Sequence, residues 1–234
     1  MNLKDKIAFI TGGSEGLGKA TAENLSREGA KVALVARNLE NLRRVAKKIG
    51  RNAYPLACDV TKPGEVKKVV NQVIKKFGRI DIIINCAGAW HKKNSLEKIS
   101  DDEIQTIIDV NLKGVINVTK YTLPILKENK ESYIVNISSH SGVKAKLHQS
   151  VYCGAKFGVR GFTEALKLEL KETNIKVVGF YPSGMNTQMF QKAGETFSSK
   201  DFMKTTDIAE IIKFVITRSG NIHLEELWVD KFSS

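Results

Sequence analysis

The stretch TGGSEGLGKATAENL, residues 11–25, decides how this 234-residue sequence is predicted to fold. It follows a short apolar run, KIAFIT, with the composition of a buried strand, and it leads into a helix predicted over Gly16–Arg27. A turn that leaves a strand this tightly needs residues that accept unusual dihedral angles, and Gly12, Gly16 and Gly18 provide them. Bare backbone also lets a pyrophosphate approach the free amides at the helix N-terminus. The pattern predicts a dinucleotide-binding turn; a plain strand-to-helix turn is the alternative.

Strand-like and helix-like segments alternate along the rest of the chain. Apolar, β-rich runs occur at residues 31–36, 52–58, 81–84, 133–137, 175–181 and 226–229. Helical patterns occur at residues 39–49, 63–77, 101–126 and 152–171, and Asp207 is expected to cap a last helix. Strands that are apolar on both faces indicate a parallel sheet covered by helices on both sides. We therefore predict an α/β fold, a doubly wound (Rossmann) parallel sheet of about seven strands. It forms one domain over residues 1–234, with a mobile substrate lid at residues 183–205.

The composition limits the class of protein. Hydrophobic residues make up 42% of the chain, which is enough for a core of ordinary size. The sequence has no signal-peptide pattern at its start and no apolar run that could span a membrane. Cys58, Cys86 and Cys153 lie far apart without a CxxC pair, which favours a reduced, cytoplasmic protein. The net charge of +12 comes from dispersed lysines. A solvated basic surface, steering of an anionic substrate, and an acidic or nucleic-acid partner are the three interpretations.

The end of the second predicted strand indicates which dinucleotide binds. An acidic residue there favours NAD, whereas an arginine can hold the additional phosphate of NADP. The chain reads VALVARN, so Ala36 and Arg37 occupy this place and no carboxylate does. We therefore predict that NADP(H) is preferred and that NAD(H) is possible. Glu15, in the phosphate-binding turn, argues mildly against NADP, and Arg37 as a solvated loop residue is the alternative.

The stretch VYCGAKFG, residues 151–158, places Tyr152 and Lys156 four residues apart. On a helix these two positions share a face, so the ammonium group can lie near the phenol. A free tyrosine has a pKa of about 10, and a nearby positive charge lowers that pKa by stabilising the phenolate. The pair is predicted to transfer protons. A packing tyrosine beside a solvated lysine is the alternative.

These motifs, with several others, occur in the order in which the short-chain dehydrogenase/reductase family has them, and the chain resembles that family over almost its whole length. TGGSEGLG resembles T-G-x-x-x-G-x-G, NCAG at residues 85–88 resembles N-N-A-G, and YCGAK resembles Y-x-x-x-K. PSGMNT at residues 182–187 resembles P-G-x-V-x-T. VNLKG and IVNISSHSG supply the family's asparagine and serine. The resemblance implies a compact, single-domain oxidoreductase.

The resemblance also implies roles for individual residues. Tyr152 exchanges a proton with the substrate, and Lys156 lowers the pKa of Tyr152 and bonds the nicotinamide ribose. Ser139 holds the carbonyl oxygen, and Asn111 anchors a water in a proton relay. Ser139 is preferred to Ser138 because it lies thirteen residues before Tyr152, as in the family. The implied cofactor contacts are Gly12, Ser14, Glu15, Gly16, Leu17, Gly18, Arg37, Asp59, Val60, Asn85, Ala87, Gly88, Tyr152, Lys156, Pro182, Ser183 and Thr187.

Three histidines fall on segments that the family places around its substrate pocket: His91, His140 and His148. A metal site is one interpretation, but no pair of these histidines has the spacing of helical ligands, and we predict no metal. The predicted substrate contacts are Ser139, Tyr152, Trp90, His91 and His148.

The predicted function is therefore an NAD(P)-dependent oxidoreductase, preferring NADPH, that interconverts a small carbonyl compound and its alcohol. The alternative is a non-catalytic dinucleotide-binding protein with a regulatory or scaffolding role. Ser139, Tyr152 and Lys156 are all present, which argues against that alternative. We predict no nucleic-acid partner and no membrane partner. The resemblance implies a homotetramer or homodimer packed through the helices at residues 101–126 and 152–170.

Overall fold

The computed structural model describes residues 1–218 and 220–232, and within them seven strands form a single sheet. The strands are β1 (Ile7–Thr11), β2 (Lys31–Ala36), β3 (Ala53–Ala57), β4 (Ile82–Asn85), β5 (Ser132–Ile137), β6 (Ile175–Pro182) and β7 (Glu226–Val229). Their order is β3-β2-β1-β4-β5-β6-β7, and every neighbouring pair is parallel. The predicted doubly wound sheet is confirmed.

Helices connect these strands. In the described residues they are α1 (Gly16–Arg27), α2 (Leu39–Ile49), α3 (Pro63–Phe77), α4 (Asp101–Ile108), α5 (Gly114–Lys127), α6 (Ser150–Glu169), α7 (Met189–Lys192) and α8 (Thr205–Ile216). A parallel sheet needs such crossovers because consecutive strands must start at the same edge.

The sheet is buried on both faces, as its strands' composition predicts. Successive residues of β1 point to opposite sides: Ala8 and Ile10 belong to one core cluster, and Ile7 and Phe9 belong to another. All four side chains are at most 2% exposed. The first cluster packs under α1 and α8, and the second packs under α3 and α5. This two-sided burial explains why the strands read as continuous apolar runs.

The strand order reverses direction at β1. β1 pairs with β2 on one side and with β4 on the other. The strands β2 and β3 therefore continue the sheet toward one edge, and β4 to β7 continue it toward the other. At such a switch point the loops following the two strands diverge and leave a crevice at the carboxyl ends of the strands. The glycine turn follows β1 at this crevice.

Two predicted helix features differ from the structure. The helix predicted over residues 101–126 is interrupted by a π-helical turn at Asp109–Lys113. Asp207 does not cap α8, which begins at Thr205 after the N-cap residue Lys204, and Asp207 lies in its first turn. There it still meets the positive end of the helix dipole. Ser100 and Glu103 form a capping box at the start of α4.

The segment predicted as a lid, residues 183–205 and called the lid segment below, contains α7 and a bridge between Met185 and Met203. Phe190 and Ser199 are buried within it. The segment therefore packs onto the body of the protein at defined points. Its mobility stays a prediction.

Candidate active site

The turn after β1 has a backbone that its glycines permit. Gly12 has a φ of +67° and Gly16 a φ of +52°, in the left-handed region that favours glycine. A Cβ atom on Gly18 would clash with the carbonyl oxygen of Gly12 and lie 2.7 Å from its carbonyl carbon. Helix α1 therefore packs on the turn backbone to backbone, without room for a side chain at Gly18.

The first turn of α1 has no side-chain cap. Its N-cap residue, Glu15, makes no capping hydrogen bond, whereas Asn38 and Ser100 cap α2 and α4 with their side chains. The side chain of Leu17 is buried in the core, so only its backbone is available to a ligand. The uncapped amides and the positive end of the helix dipole suit an anion. On these grounds the turn fits the pyrophosphate of a dinucleotide.

Thr11, at the end of β1, ties the glycine turn to the turn after β4. Its Oγ1 accepts hydrogen bonds of 3.0 Å from the backbone N–H groups of Cys86 and Ala87. A Cβ atom on Gly12 would lie 3.0 Å from the Cys86 carbonyl oxygen, so the two turns touch. Ala87 is thus close to the phosphate-binding turn, and the cofactor contacts of Ala87 and Gly88 stay predictions. Thr11 was not among the predicted site residues, although a threonine directly before the glycines was the available signal.

Asp59 and Val60 directly follow β3, where the adenine contacts are predicted. The Asp59 carboxylate accepts hydrogen bonds from the backbone N–H and the hydroxyl of Thr61, at 3.0 and 2.8 Å. The Val60 side chain is buried beside Gly114, and its carbonyl accepts a 2.9 Å bond from Asn117. Asp59 therefore shapes its own loop, and Val60 can offer a ligand only its N–H group.

Asn85 has its side chain turned into the protein. Its side chain is 1% exposed and donates to Asn136 Oδ1 at 2.8 Å and to Thr119 Oγ1 at 3.2 Å. Both amide hydrogens are therefore used inside the protein. The Asn85 side chain joins β4 to β5 and α5, and the contact of this residue with a cofactor stays a prediction.

Tyr152 and Lys156 lie on the inner face of α6, and both are at most 5% exposed. The Lys156 Nζ atom is 5.8 Å from the centroid of the Tyr152 ring. It donates a 3.2 Å hydrogen bond to the carbonyl oxygen of Ile137, the last residue of β5. The predicted sharing of one helix face is present, and the ammonium group is held at the end of the neighbouring strand.

The two serines after β5 differ in their partners. Ser138 Oγ donates to the Lys156 carbonyl at 2.9 Å, which fastens α6 to the strand end. Ser139 Oγ accepts from the backbone N–H of Ser141 at 3.1 Å, so its own hydrogen is not used in that bond. The Ser139 hydroxyl also acts on Tyr152, whose pKa it lowers slightly against the larger effect of burial. The geometry agrees with the choice of Ser139 as the substrate contact and gives Ser138 a structural contact.

The pKa values of the pair differ from the prediction. Burial raises the pKa of Tyr152 to about 12, against a smaller opposite effect of the hydrogen bond to Ser139. Burial also lowers the pKa of Lys156 to about 8, with Cys86 opposing it. The expectation that Lys156 lowers the pKa of Tyr152 is wrong for this structure. The physical reason is that desolvation of the phenolate dominates and that the ammonium group is bonded to Ile137.

The lowered pKa of Lys156 makes a prediction about stability. The folded value of about 8 lies below the ordinary 10.5, so between these pH values the unfolded chain binds more protons and stability rises with pH. Between pH 8 and 10.5 the wild type should gain about 3 kcal/mol of unfolding free energy relative to Lys156→Met. Urea unfolding of both proteins across this range measures the difference. A difference that does not change with pH would contradict the burial of an ionisable amine here.

Asn111 is fully buried in the π-helical turn. Its Nδ2 donates to the carbonyl oxygens of Ala89 and Ile107, both at 2.9 Å, and its Oδ1 accepts from the Ala89 N–H at 3.3 Å. In the π-helical turn the backbone hydrogen bonds are shifted by one residue relative to an α-helix. The carbonyl oxygen of Ile107 therefore accepts its hydrogen bond from the Asn111 side chain. In the structure the Asn111 side chain therefore holds the loop after β4 in place through its hydrogen bonds to the Ala89 backbone. Its role in a water relay stays a prediction.

A cavity of about 370 Å³ lies in front of Tyr152. The predicted residues that line it are Trp90, Ser139, Tyr152, Pro182, Ser183 and Thr187. Much of its wall comes from residues that the sequence did not single out, namely Met185, Met189, Phe190, Phe197 and Phe202 of the lid segment, with Lys93, Lys146, Gln149, Asp230 and Lys231. The three phenylalanines and three methionines of the lid segment were a signal that sequence analysis could have used.

His91 and His148 do not line this cavity, and their contact with the substrate stays a prediction. His91 is 3% exposed behind Trp90, and its Nδ1 is 2.8 Å from the Lys92 carbonyl oxygen. His148 is exposed and has a φ of +59° at the tip of a loop. His140 lies 3.9 Å from Asp230. Within residues 1–218 and 220–232, no three His, Cys, Asp or Glu side chains group as metal ligands.

A second, more open cavity lies beside the glycine turn and contains Ser14, Glu15, Gly16 and Thr187 in its wall. Lys192 of α7 reaches across it and pairs with both carboxylate oxygens of Glu15, at 2.5 and 2.6 Å. Thr187 also packs on Gly16, where a Cβ atom would lie 3.3 Å from its methyl group. The lid segment therefore contacts the turn that fits the pyrophosphate.

Arg37 follows β2, as predicted, and its side chain is exposed. Among the described residues it makes no ion pair or side-chain hydrogen bond, so its guanidinium group is available to a ligand. The Glu15 carboxylate was the argument in the sequence against binding of the additional phosphate of NADP. In the structure this carboxylate is paired with Lys192.

As for membranes, none of the helices in the described part of the chain has the length and apolar character needed to cross a bilayer.

Comparison with known proteins agrees with this geometry. Residues 6–198 match the family model described as short chain dehydrogenase. An uncharacterised oxidoreductase from Staphylococcus epidermidis is 32% identical over 230 residues, which cover 97% of each chain.

Two solved structures have the same architecture. A 3-ketoacyl-(acyl-carrier-protein) reductase from Brucella melitensis, complexed with NADH, superimposes with a TM-score of 0.89 and 32% identity over 97% of this chain and 98% of that one. An alcohol dehydrogenase from the archaeon Thermococcus sibiricus, complexed with 5-hydroxy-NADP, has a TM-score of 0.89 and 25% identity over 97% and 96%.

Proposed function

The chain belongs to the short-chain dehydrogenase family of oxidoreductases, and from this we propose that it interconverts a small carbonyl compound and its alcohol with Tyr152 as the acid and base. The single observation that carries the proposal is the meeting of Ser139 and Tyr152 at one cavity, with Lys156 buried behind them. The cavity lies at the crevice that also contains the glycine turn.

A nicotinamide dinucleotide, when bound, supplies or accepts the hydride. The protein must bind the carbonyl compound, orient it and move one proton. Ser139 can donate its free hydrogen to the carbonyl oxygen, on which negative charge develops. Tyr152, with a pKa of about 12, is a neutral phenol at neutral pH and is suited to giving a proton to that oxygen. In the alcohol direction, Tyr152 can act as a base only when nearby positive charge stabilises the phenolate.

A screen of NADPH oxidation across ketones, aldehydes, keto acids and sugars tests the proposed activity. We expect turnover with at least one of these classes. Dinucleotide binding without turnover of any compound would instead favour the non-catalytic alternative.

We also propose that NADPH is preferred to NADH. Arg37 is exposed and free to grip a phosphate with two N–H groups, and Lys192 neutralises Glu15. The comparisons are mixed on this point, because one similar structure carries NADH and the other an NADP derivative. The preference therefore rests on the two local observations.

Arg37→Ala should raise the KM for NADPH about tenfold, the value of one charge-assisted hydrogen-bonded contact, and should change the KM for NADH much less. Steady-state kinetics with both cofactors measures this. Arg51→Ala, which removes another exposed arginine, is the matched control. A lower KM for NADH than for NADPH in the wild type would overturn the proposed preference.

Assembly into a homodimer or homotetramer through α6 is a further part of the proposal. The outer face of α6 exposes an apolar stripe of Gly154, Phe157, Gly161 and Leu168. Such a stripe on a 20-residue helix suits close packing against a second copy. Light scattering should give two or four times the chain mass, and Phe157→Glu should reduce it. Phe214→Glu, at an exposed phenylalanine of α8, is the control, and a monomeric wild type would contradict the proposal.

We propose a cytoplasmic location as well. Cys58, Cys86 and Cys153 are free thiols, which suits a reducing compartment. Cell fractionation with a specific antibody tests this location.

A further inference from the structure

The cavity in front of Tyr152 has a cationic lining, and the reaction proposed above does not use that charge. Three lysines line it, Lys93, Lys146 and Lys231, against one lining carboxylate, Asp230. The described residues give none of these lysines an ion pair within 4.0 Å. A solvated basic surface would need no such convergence on a cavity.

Two carboxylates near these lysines, those of Glu195 and Asp230, already have polar partners. Glu195 accepts hydrogen bonds from Trp90 Nε1 at 3.1 Å and from the backbone N–H of Lys93 at 2.9 Å. The nearby Ser183 hydroxyl is the main cause that lowers the pKa of the Asp230 carboxyl group, and Asp230 Oδ2 lies 3.9 Å from His140 Nδ1. These bonds do not neutralise the two carboxylates, so three ammonium groups are set against two negative charges and a net positive charge remains for a ligand.

A row of aromatic side chains connects Tyr152 to Lys93 of this cationic lining. The Tyr152 ring is 4.5 Å from that of Trp90, which is 5.1 Å from that of Phe190, and Phe190 is 5.2 Å from Phe197. The Lys93 Nζ atom lies 5.0 Å from the Phe197 centroid. The rings of Trp90, Phe190 and Phe197 thus form a chain of contacts between the proton donor Tyr152 and the Lys93 ammonium group.

This separation distinguishes among substrate classes. A short 2-oxo acid carries its carboxylate next to the carbonyl group, so its anion could not reach Lys93 while its carbonyl meets Tyr152. A neutral ketone would form no ion pair with the three ammonium groups. A compound with an apolar acyl or aryl body between the carbonyl and the anion satisfies both ends, and the cavity of about 370 Å³ has room for a ligand of modest size.

We propose that the substrate is an oxo compound whose apolar body separates the reacting carbonyl from a terminal oxyanion, a carboxylate or a phosphate, held by Lys93 with Lys146 and Lys231. The inference rests on the proposed function, since it assumes that the carbonyl meets Ser139 and Tyr152. Lys93 is the central residue, because its ammonium group is positioned over Phe197.

The first experiment measures binding and needs no turnover. The chain has two tryptophans, so Trp228→Phe leaves Trp90, which lines the cavity, as the reporter. Quenching of its fluorescence is followed with 4-acetylphenylacetate, 4-acetylphenyl phosphate and the neutral 4-acetylphenylacetamide. We expect one or both anions to bind about tenfold more tightly than the amide, with a difference that shrinks at high salt. The stronger of the two anions identifies the oxyanion source.

The second experiment compares kcat/KM for the same three compounds. The ratio of anion to amide should fall at least about threefold in Lys93→Gln and should invert in Lys93→Glu. Lys92→Gln, which removes the same charge from the adjacent exposed residue, should keep the wild-type ratio.

Equal binding of anions and amide, or an anion preference insensitive to Lys93, would overturn this inference even if the ketones are reduced. Anion-selective binding that depends on Lys93, without turnover of any compound, would support this inference and count against the proposed activity. The two claims therefore fail in different measurements.

Discussion

Tyr152→Phe is expected to lower kcat about a thousandfold while the protein still binds its dinucleotide. The substitution removes one hydroxyl group and keeps the ring that packs on Trp90. Proton transfer by a positioned side chain contributes between about a hundredfold and ten-thousandfold to a rate, and no other phenol lines the cavity among the described residues. Steady-state kinetics gives kcat, and enhancement of NADPH fluorescence gives the dissociation constant.

Tyr54→Phe is the matched control for this experiment. Tyr54 also packs on an aromatic ring, that of Phe77, but it lies on β3 away from the cavity. Its variant should keep wild-type kcat. If Tyr152→Phe retained more than about a tenth of the activity, Tyr152 would not be the acid and base, and Ser139 would be the next residue to test.

Gly18→Ala is expected to have the second-largest effect. The new Cβ atom would clash with the backbone of Gly12, and backbone cannot rotate away as a side chain can. Either α1 or the glycine turn must shift, at a cost of about 1–3 kcal/mol in unfolding free energy. A displacement of about 1 Å at a binding turn costs about a hundredfold in kcat/KM. Thermal unfolding and kinetics at low temperature measure the two effects.

Gly64→Ala separates this steric effect from the general effect of adding a methyl group. Gly64 lies in the first turn of α3 with no atom within 4 Å of its potential Cβ, so the variant should be as stable as the wild type or up to about 1 kcal/mol more stable. A Gly18→Ala protein with normal stability and cofactor affinity would show that the turn and α1 are not packed as described.

Local sequence patterns predicted most of the fold because strand burial and helix termini are encoded nearby in the chain. The run KIAFIT is buried on both faces as β1, and the capping box at Ser100 forms at the start of α4. Asp207 was misassigned because an acidic residue suits both an N-cap and a first turn. The π turn around Asn111 depends on a contact with Ala89, distant in sequence, which periodicity cannot reveal.

The positions of site residues could be predicted where a local motif contains them. Properties that depend on packing between distant segments could not. Ser139, Tyr152 and Lys156 have the mutual arrangement that their spacing suggests. The direction of the Tyr152 pKa shift was wrong, because spacing brings a lysine near but does not report desolvation or the competing bond to Ile137. Spacing likewise did not reveal that His91 is buried, since its position depends on stacking against Trp90.

The lid segment has one further consequence for how the two ligands affect each other. Its Thr187 and Lys192 contact the glycine turn, while its Met189 and Phe190 line the cavity in front of Tyr152. One segment thus borders the places of both the dinucleotide and the carbonyl compound. Any coupling free energy that it transmits must be reciprocal: if the dinucleotide tightens binding of the carbonyl compound by some factor, the carbonyl compound tightens binding of the dinucleotide by the same factor.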